Sequence, residues 1–197
     1  MPKVSPAHRA AVRDRILDAA HAVALREGLS EMSMADIISE SGTSAGAIYG
    51  YFDNKEALVG QVAERVMAGR VVALEALAHE RPLPTPAQVL RRLIDGMPTD
   101  LVDSGLVLQI WGAAGSGGPM REVAQRAVAV MGAGFEAYLV EWFVSRGVGR
   151  RTAESRAAVR APAIIGLAQG YLVHRAVLGA ESADRYLVAV DALLADV

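Results

Sequence analysis

The chain has no cysteine. That absence removes a disulfide framework, a thiolate nucleophile and any cysteine-ligated metal in one step, and a thiol-free chain fits the reducing cytoplasm where we expect the protein. Aromatic residues are scarce, 5% of 197, although 52% of the residues are hydrophobic and that share falls on Ala, Val and Leu. Ala and Leu favour helix, and β-branched residues never alternate long enough to suggest a strand. Long apolar runs are missing as well. The longest uncharged stretch, Ser104 to Met120, is broken by Gly105, Gly112, Gly115, Gly117, Gly118 and Pro119, whereas a spanning helix wants about 20 predominantly apolar residues. The beginning, Met1-Pro2-Lys3-Val4-Ser5-Pro6, meets His8, Arg9 and Arg13 before any apolar stretch, unlike a signal peptide. A soluble protein with no membrane partner is expected.

An excess of positive charge is also lacking. The net charge is −2, and residues 1–60 set six cations (Lys3, Arg9, Arg13, Arg15, Arg26, Lys55) against eight anions (Asp14, Asp18, Glu27, Glu31, Asp36, Glu40, Asp53, Glu56). Any nucleic-acid binding by this segment must depend on where its cations point, not on bulk charge. Catalytic signatures are thin. His8, His21, His79 and His174 form no pair with metal-ligand spacing, and Gly-x-Ser-x-Gly does not occur. Ser116 lies in Gly115-Ser116-Gly117-Gly118, but that loop follows a helical pattern and no lysine comes after it, so it reads as a turn. Glu136 and Glu141 lie five residues apart, on different parts of a helix surface. No catalytic residue, metal site or cofactor is expected.

Helix signals are plentiful, and they predict an all-α chain of about nine helices. The first runs from about Ala7 to Glu27 with Gly28 as its stop. Ser33 precedes Met34-Ala35-Asp36, a capping arrangement for a short helix to Ser41. Gly42 turns the chain, Thr43 or Ser44 caps a third helix to about Tyr51, and Asp53 or Asn54 caps a fourth that runs towards Leu77. Arg81 to Pro86 is a linker with Thr85 as cap and Pro86 at a first helical position. Further helices are predicted to about Met97, from about Ser104 to Ala114, from Pro119 to about Arg146, from a Thr152 cap to about Leu178, and from a Ser182 cap onward. The expected division is a head, 1–52 with a flexible arm 1–7, and a helical body, 53–197.

Ser33 to Tyr51 has the dimensions of a helix-turn-helix, whose first helix braces on the DNA backbone while the second enters the major groove. Ile48 and Phe52, four apart, would face a core with Ile37 and Leu58, leaving Ser44, Ala45, Ala47, Tyr49 and Tyr51 for solvent or DNA. The residues add more than the spacing. Ala19-Ala20, Glu27-Gly28, Met34-Ala35-Asp36-Ile37 and the run from Ser41 to Leu58, above all Gly46-x-x-Tyr49-x-Tyr51-Phe52-x-x-Lys55-Glu56-x-Leu58, closely resemble the signature of the TetR family of transcriptional regulators. The match covers about residues 9–60.

This resemblance implies roles. Ser33 and Met34 would start the bracing helix beside a phosphate, Tyr49 and Tyr51 would offer hydroxyls to phosphates, and Lys55 would pair with one. Tyr51 stands where family members often carry His. The groove-facing side offers Ala45, Gly46, Ala47 and Gly50, with no Arg, Asn or Gln for bidentate base contacts. Ala47 could touch a thymine methyl, and Thr43 or Ser44 could bond a base edge. DNA shape and the arm, through Lys3 and Arg9, would supply the remaining specificity.

The resemblance also implies a ligand-responsive repressor, dimeric on a palindromic operator and released by a small apolar or amphipathic molecule. Met97, Leu101, Leu108, Trp111, Met120, Met131, Phe135, Tyr138, Trp142, Tyr171 and His174 are the candidate pocket residues, although the same stripe describes an ordinary helical core. The segment Ala157 to Leu178 is apolar on nearly every side and must be buried all round, by its own core and by a second subunit. Ile164, Ile165, Leu167 and Leu172, with Tyr186, Leu187, Val190 and Leu194 of the last helix, are the candidate dimer interface, a four-helix bundle in the family. Two other readings stay open: a helical interaction protein without DNA binding, and a small helical enzyme.

Overall fold

Hydroxyl and amide side chains set where the early helices begin. The computed structural model describes residues 5–195, with the side chain of Met67 excepted. Helix α1 (Pro6–Glu31) starts on Ser5, whose Oγ accepts from the His8 N–H at 3.2 Å. Gly28 breaks the helical backbone at φ 81°, as the sequence predicts, but one further turn follows it. Helix α2 (Met34–Ser41) begins with a full capping box: the Asp36 N–H donates to Ser33 Oγ at 3.2 Å, and the Ser33 N–H donates to Asp36 Oδ2 at 2.9 Å. Gly42 then turns the chain with φ 61°, a left-handed conformation that suits glycine.

Helix α3 (Ala45–Tyr49) is capped by Ser44, α4 (Lys55–His79) by Asn54, and α5 (Pro86–Asp95) by Thr85, in a second capping box with Gln88. The later helices are α6 (Thr99–Asp103), α7 (Leu106–Gly115), α8 (Pro119–Ser145), α9 (Arg150–Val173), which continues into a π-helical turn (His174–Leu178), and α10 (Ala180–Leu194). The described residues hold ten α-helices instead of about nine. The difference is α6, whose single turn is too short to show a hydrophobic period.

Two expected starts are corrected. Helices α9 and α10 begin after Gly149 and Gly179, so Thr152 and Ser182 lie inside their first turns and cap neither. The Ser182 hydroxyl instead meets His174 Nδ1 at 2.9 Å.

Two apolar clusters hold the chain together. The head cluster joins Ile16, Leu17, Ala20 and Val23 of α1 to Ile37, Ile48, Phe52 and Leu58, and it reaches into α7 and α8 through Leu106 and Met120. Ile48, Phe52, Ile37 and Leu58 all lie at 2% exposure or less, as their spacing predicts. Val59 and Val62 of α4 belong to the same cluster, so head packing extends past residue 52. The body cluster is centred on α8, whose Phe135, Tyr138, Leu139 and Phe143 pack with residues of α4, α5, α9 and α10. By length and composition α8 could cross a bilayer. Here its apolar face is covered by its own chain, most extensively by α9 and α4.

Candidate nucleic-acid interface and cavity

Helix α3 projects from the head with little on it. Ser44, Ala45, Gly46, Tyr49 and Gly50 are exposed, Tyr49 at 53%, while Ile48 anchors the helix from below at 0%. A Cβ built at Gly46 meets nothing within 4 Å, and its φ lies outside the left-handed range. Neither packing nor backbone conformation of this chain therefore asks for glycine at 46, although glycine in a helix costs about 1 kcal/mol relative to alanine. Its absence of a side chain leaves the outer surface bare.

Other expected contact residues are placed differently. Thr43 is buried at 7% exposure, and its Oγ1 donates to the Ser41 carbonyl at 3.3 Å, so its hydroxyl is committed to the turn and does not stand on the groove side. Ser33 is engaged in its capping box, Met34 and Ala47 are half-buried, and Tyr51 is half-buried with the Arg9 guanidinium 5.7 Å above its ring. Lys55 Nζ donates to the Met32 carbonyl at 2.8 Å, clamping the end of α1. A lysine beside free carbonyls at a chain turn gains more by capping them than by extending into water. Arg9 lies within α1 and so does not belong to an arm; Lys3 falls outside the described residues.

The body contains a cavity of about 110 Å³ between α4, α5, α7, α8 and α9. Met97, Leu101, Trp111, Met131 and Phe135 line it, as the sequence reading expects, with Val107, Ile165 and Leu172 among their neighbours. Leu108, Met120, Tyr138, Trp142, Tyr171 and His174 do not line it. Met120 packs in the head cluster. The Tyr138 hydroxyl donates to the Pro84 carbonyl at 2.5 Å, and burial pushes that phenol well above its ordinary range. Trp142 carries the Arg146 guanidinium on its ring. His174 stacks on Tyr186 at 4.5 Å between ring centroids, and the Tyr186 hydroxyl donates to the Leu167 carbonyl at 3.1 Å. A Cβ at Gly170 would meet that hydroxyl at 2.2 Å, so a side chain there would displace the Tyr186 ring. The Tyr138 and Tyr186 hydroxyls and the His174 Nδ1 thus have partners within the fold.

The expected interface residues also turn inward. Ile164, Leu172, Leu187, Val190 and Leu194 are buried in their own chain, and Ile165, Leu167 and Tyr186 pack against the same cluster. A helix apolar all round has two candidate inner faces, and hydrophobicity does not say which one the chain uses. The outward face of α9 and its π turn carries Val159, Ala163, Gly166, Val173 and Val177 at helical spacing, and that of α10 carries Val188 and Leu193.

Sequence reasoning missed Arg70, Gln169 and Gln109. Arg70 and Gln169 line the cavity, and Gln109 Oε1 accepts from the Leu29 N–H at 2.7 Å, joining α7 to the end of α1. Gln109 left a trace, as the only side chain able to accept a hydrogen bond in Leu106 to Gly115. Arg70 left none, because a charge on a long helix ordinarily lies on the solvated side.

Residues 16–62 match the family model described as bacterial regulatory proteins, tetR family. The head is that of the tetR family. The tetR-type head is also what the curated relatives share with this chain. An uncharacterized HTH-type transcriptional regulator of Haemophilus influenzae is 39% identical over 62 residues, 32% of this chain and 33% of that protein. The uncharacterized HTH-type transcriptional regulator YfiR of Bacillus subtilis is 30% identical over 104 residues, 52% of this chain and 50% of its own length. The chain thus spans about a third to a half of the curated relatives it matches.

Solved structures extend the likeness to the body as fold alone. A TetR transcription regulator from Haloarcula marismortui superposes with a TM-score of 0.74 at 15% identity, covering 95% of this chain and 98% of that one. Salmonella enterica GusR superposes with a TM-score of 0.69 at 19% identity, covering 98% of both. The whole chain has the all-α fold of these solved transcriptional regulators.

Proposed function

We propose that this protein is a cytoplasmic, ligand-responsive transcriptional repressor that binds a palindromic operator as a homodimer. Helix α3 enters the major groove, and a small apolar or amphipathic molecule in the body cavity releases the DNA. The bare face of α3 carries this reading. Gly46 has no role inside the fold, and a helix stripped to Ala45, Gly46 and Gly50 lets its backbone approach base edges closely, with Tyr49 free beside it to donate to a phosphate. Sequence is then read sparsely, with Ala45 and Ala47 against thymine methyls and DNA shape supplying the rest.

Pairing follows from the outward apolar stripe of α9 and α10, since Val177 and Val188, both more than 60% exposed, would be covered by the same faces of a second copy. Two-fold symmetry would set the recognition helices roughly 34–36 Å apart. Release has a physical route. The cavity borders α4 through Val66 and Arg70 and α7 through Val107 and Trp111. Helix α4 leads back to the Lys55 clamp, and α7 to the Gln109 tie on Leu29. A ligand that parts these helices shifts the head relative to its partner.

Titrating salt against a complex with the DNA upstream of its own gene tests the reading. Affinity should fall by roughly 10³–10⁵ between 50 and 200 mM salt for 6–10 phosphate contacts. Gly46→Ala should stabilise the fold by about 0.5 kcal/mol while weakening operator binding by at least about tenfold, ~1.4 kcal/mol. Unchanged operator affinity in Gly46→Ala would show that α3 does not face DNA.

A further inference from the structure

We infer that Arg9, seated over the ring of Tyr51, is a phosphate anchor of the head in each subunit. The inference rests on α3 lying in the major groove and goes further in naming the cation that holds the DNA backbone beside it. Residues 1–60 carry more acidic than basic side chains, so attraction to a polyanion depends on which cations stay unneutralised and where they stand. Most cations of the head are already committed. Lys55 Nζ donates to the Met32 carbonyl at 2.8 Å and reaches the Ser30 carbonyl at 3.5 Å, Arg26 pairs with Glu27 and Glu40, and Arg13 donates to Gln61.

Two described cations of this segment, Arg9 and Arg15, have a guanidinium with neither an acidic partner nor a hydrogen bond among the described residues. Their directions differ. At about 100° per residue, Arg15 lies about 120° round α1 from Arg9. Arg9 shares the line of Arg13, Ile16 and Ala20, which faces the rest of the head, whereas Arg15 is exposed away from it.

Arg9 is exposed, and its guanidinium carbon stands 5.7 Å from the centroid of the half-buried Tyr51 ring, just beyond the end of α3. Contact with an aromatic face holds a cation without neutralising it, so the N–H donors of the guanidinium remain for an anion. A helix with its side chains is ~10–12 Å across and fills a major groove ~12 Å wide. A cation at the flank of its last turn, not on its outer face, therefore meets the phosphates that border the groove. Tyr51 is the positioning residue, through its ring and not its hydroxyl. It seats the long Arg9 side chain before DNA arrives, which spares part of the entropy that an unsupported arginine loses on binding. This differs from base reading by a flexible arm, since a backbone contact carries no sequence information directly.

Fluorescence anisotropy on the full-length chain, with the duplex upstream of its own gene and a scrambled duplex of equal length, reads the contact as a salt slope. Arg9→Gln should make the slope of log affinity against log salt shallower by about 1.8 for a dimer, about 0.9 for each phosphate, and should weaken both duplexes by the same factor. Arg9→Lys should keep the slope. Tyr51→Ala should weaken binding about threefold per subunit, Tyr51→Phe should match wild type, and Tyr51→Ala added to Arg9→Gln should cost nothing further. The assignment is overturned if Arg9→Gln leaves the slope unchanged, or if it alters the ratio between the two duplexes, as a base contact would. Tyr51→Phe losing as much as Tyr51→Ala also overturns it, and so does an equal slope change in Arg15→Gln, which would reduce the effect to bulk charge. A wild type that binds neither duplex defeats the regulator reading and the assignment with it. Specific binding by wild type with an unchanged slope in Arg9→Gln defeats the assignment alone.

Discussion

The first five helices and the last five are built on opposite plans. Each helix from α1 to α5 begins on a side-chain oxygen, from Ser5, Ser33, Ser44, Asn54 or Thr85, which accepts a backbone N–H of the first turn. Helices α6 to α10 begin after Pro98, Gly105, Gly118, Gly149 and Gly179 with no such bond. The interiors differ in parallel. The head closes around a void of about 10 Å³, whereas the body keeps one of about 110 Å³. A helix whose start is pinned by its own cap has one register, while a helix held by packing alone can shift when its neighbours do. The cavity lies across the two sets, between the capped α4 and α5 and the uncapped α7, α8 and α9.

That contrast can be broken most sharply by adding volume. Ala20→Leu in the closely packed head should destabilise by about 1–3 kcal/mol, whereas Ala168→Leu, pointing its extra carbons into the cavity, should stabilise by about 0.5–2 kcal/mol. Denaturant melts of the two variants decide it; the same sign for both would erase the difference between the interiors.

Removing hydroxyls is the next test. Ser33→Ala should cost about 1 kcal/mol, as loss of an N-cap does. Thr152→Ala, inside the first turn of α9, should stay within about 0.5 kcal/mol of wild type. If Thr152→Ala melts as early as Ser33→Ala, α9 has a cap after all. Acid refines the first of these. The Ser33 hydroxyl, and then its backbone N–H, hold the Asp36 carboxyl below its ordinary value of 3.8. Stability from a carboxyl lowered in this way is fully present above its unfolded pKa and is lost as pH falls through the folded one. The Ser33→Ala deficit should therefore be constant near neutrality and shrink only in acid below the usual carboxylate range, which melts along a pH series would follow.

The smallest effect comes from adding what the body lacks. Gly149 has the extended backbone of an N-cap, and a Cβ there meets nothing within 4 Å. Gly149→Asp should stabilise by a few tenths of a kcal/mol, visible as a slight rise in melting temperature. A loss would mean that the start of α9 is held in place by something other than a free helix end.

Within the head, the residues alone determined the helix starts at Ser33 and Ser44, the turn at Gly42, the buried set of Ile37, Ile48, Phe52 and Leu58, and the family. Each depends on interactions within a few residues, which spacing and residue type encode directly. Only tertiary structure decided that Thr43 and Lys55 are engaged inside the head, because their partners, the Ser41 and Met32 carbonyls, are backbone groups that no motif announces. The same holds for the body. Five of the expected pocket residues do line the cavity and six do not, and of the eight expected interface residues five are buried within their own chain and three are half-buried. On helices apolar all round, hydrophobicity marks what must be buried but not by which neighbour. That choice, and with it the placing of Arg70 beside a carbon-walled cavity, comes from how distant helices pack.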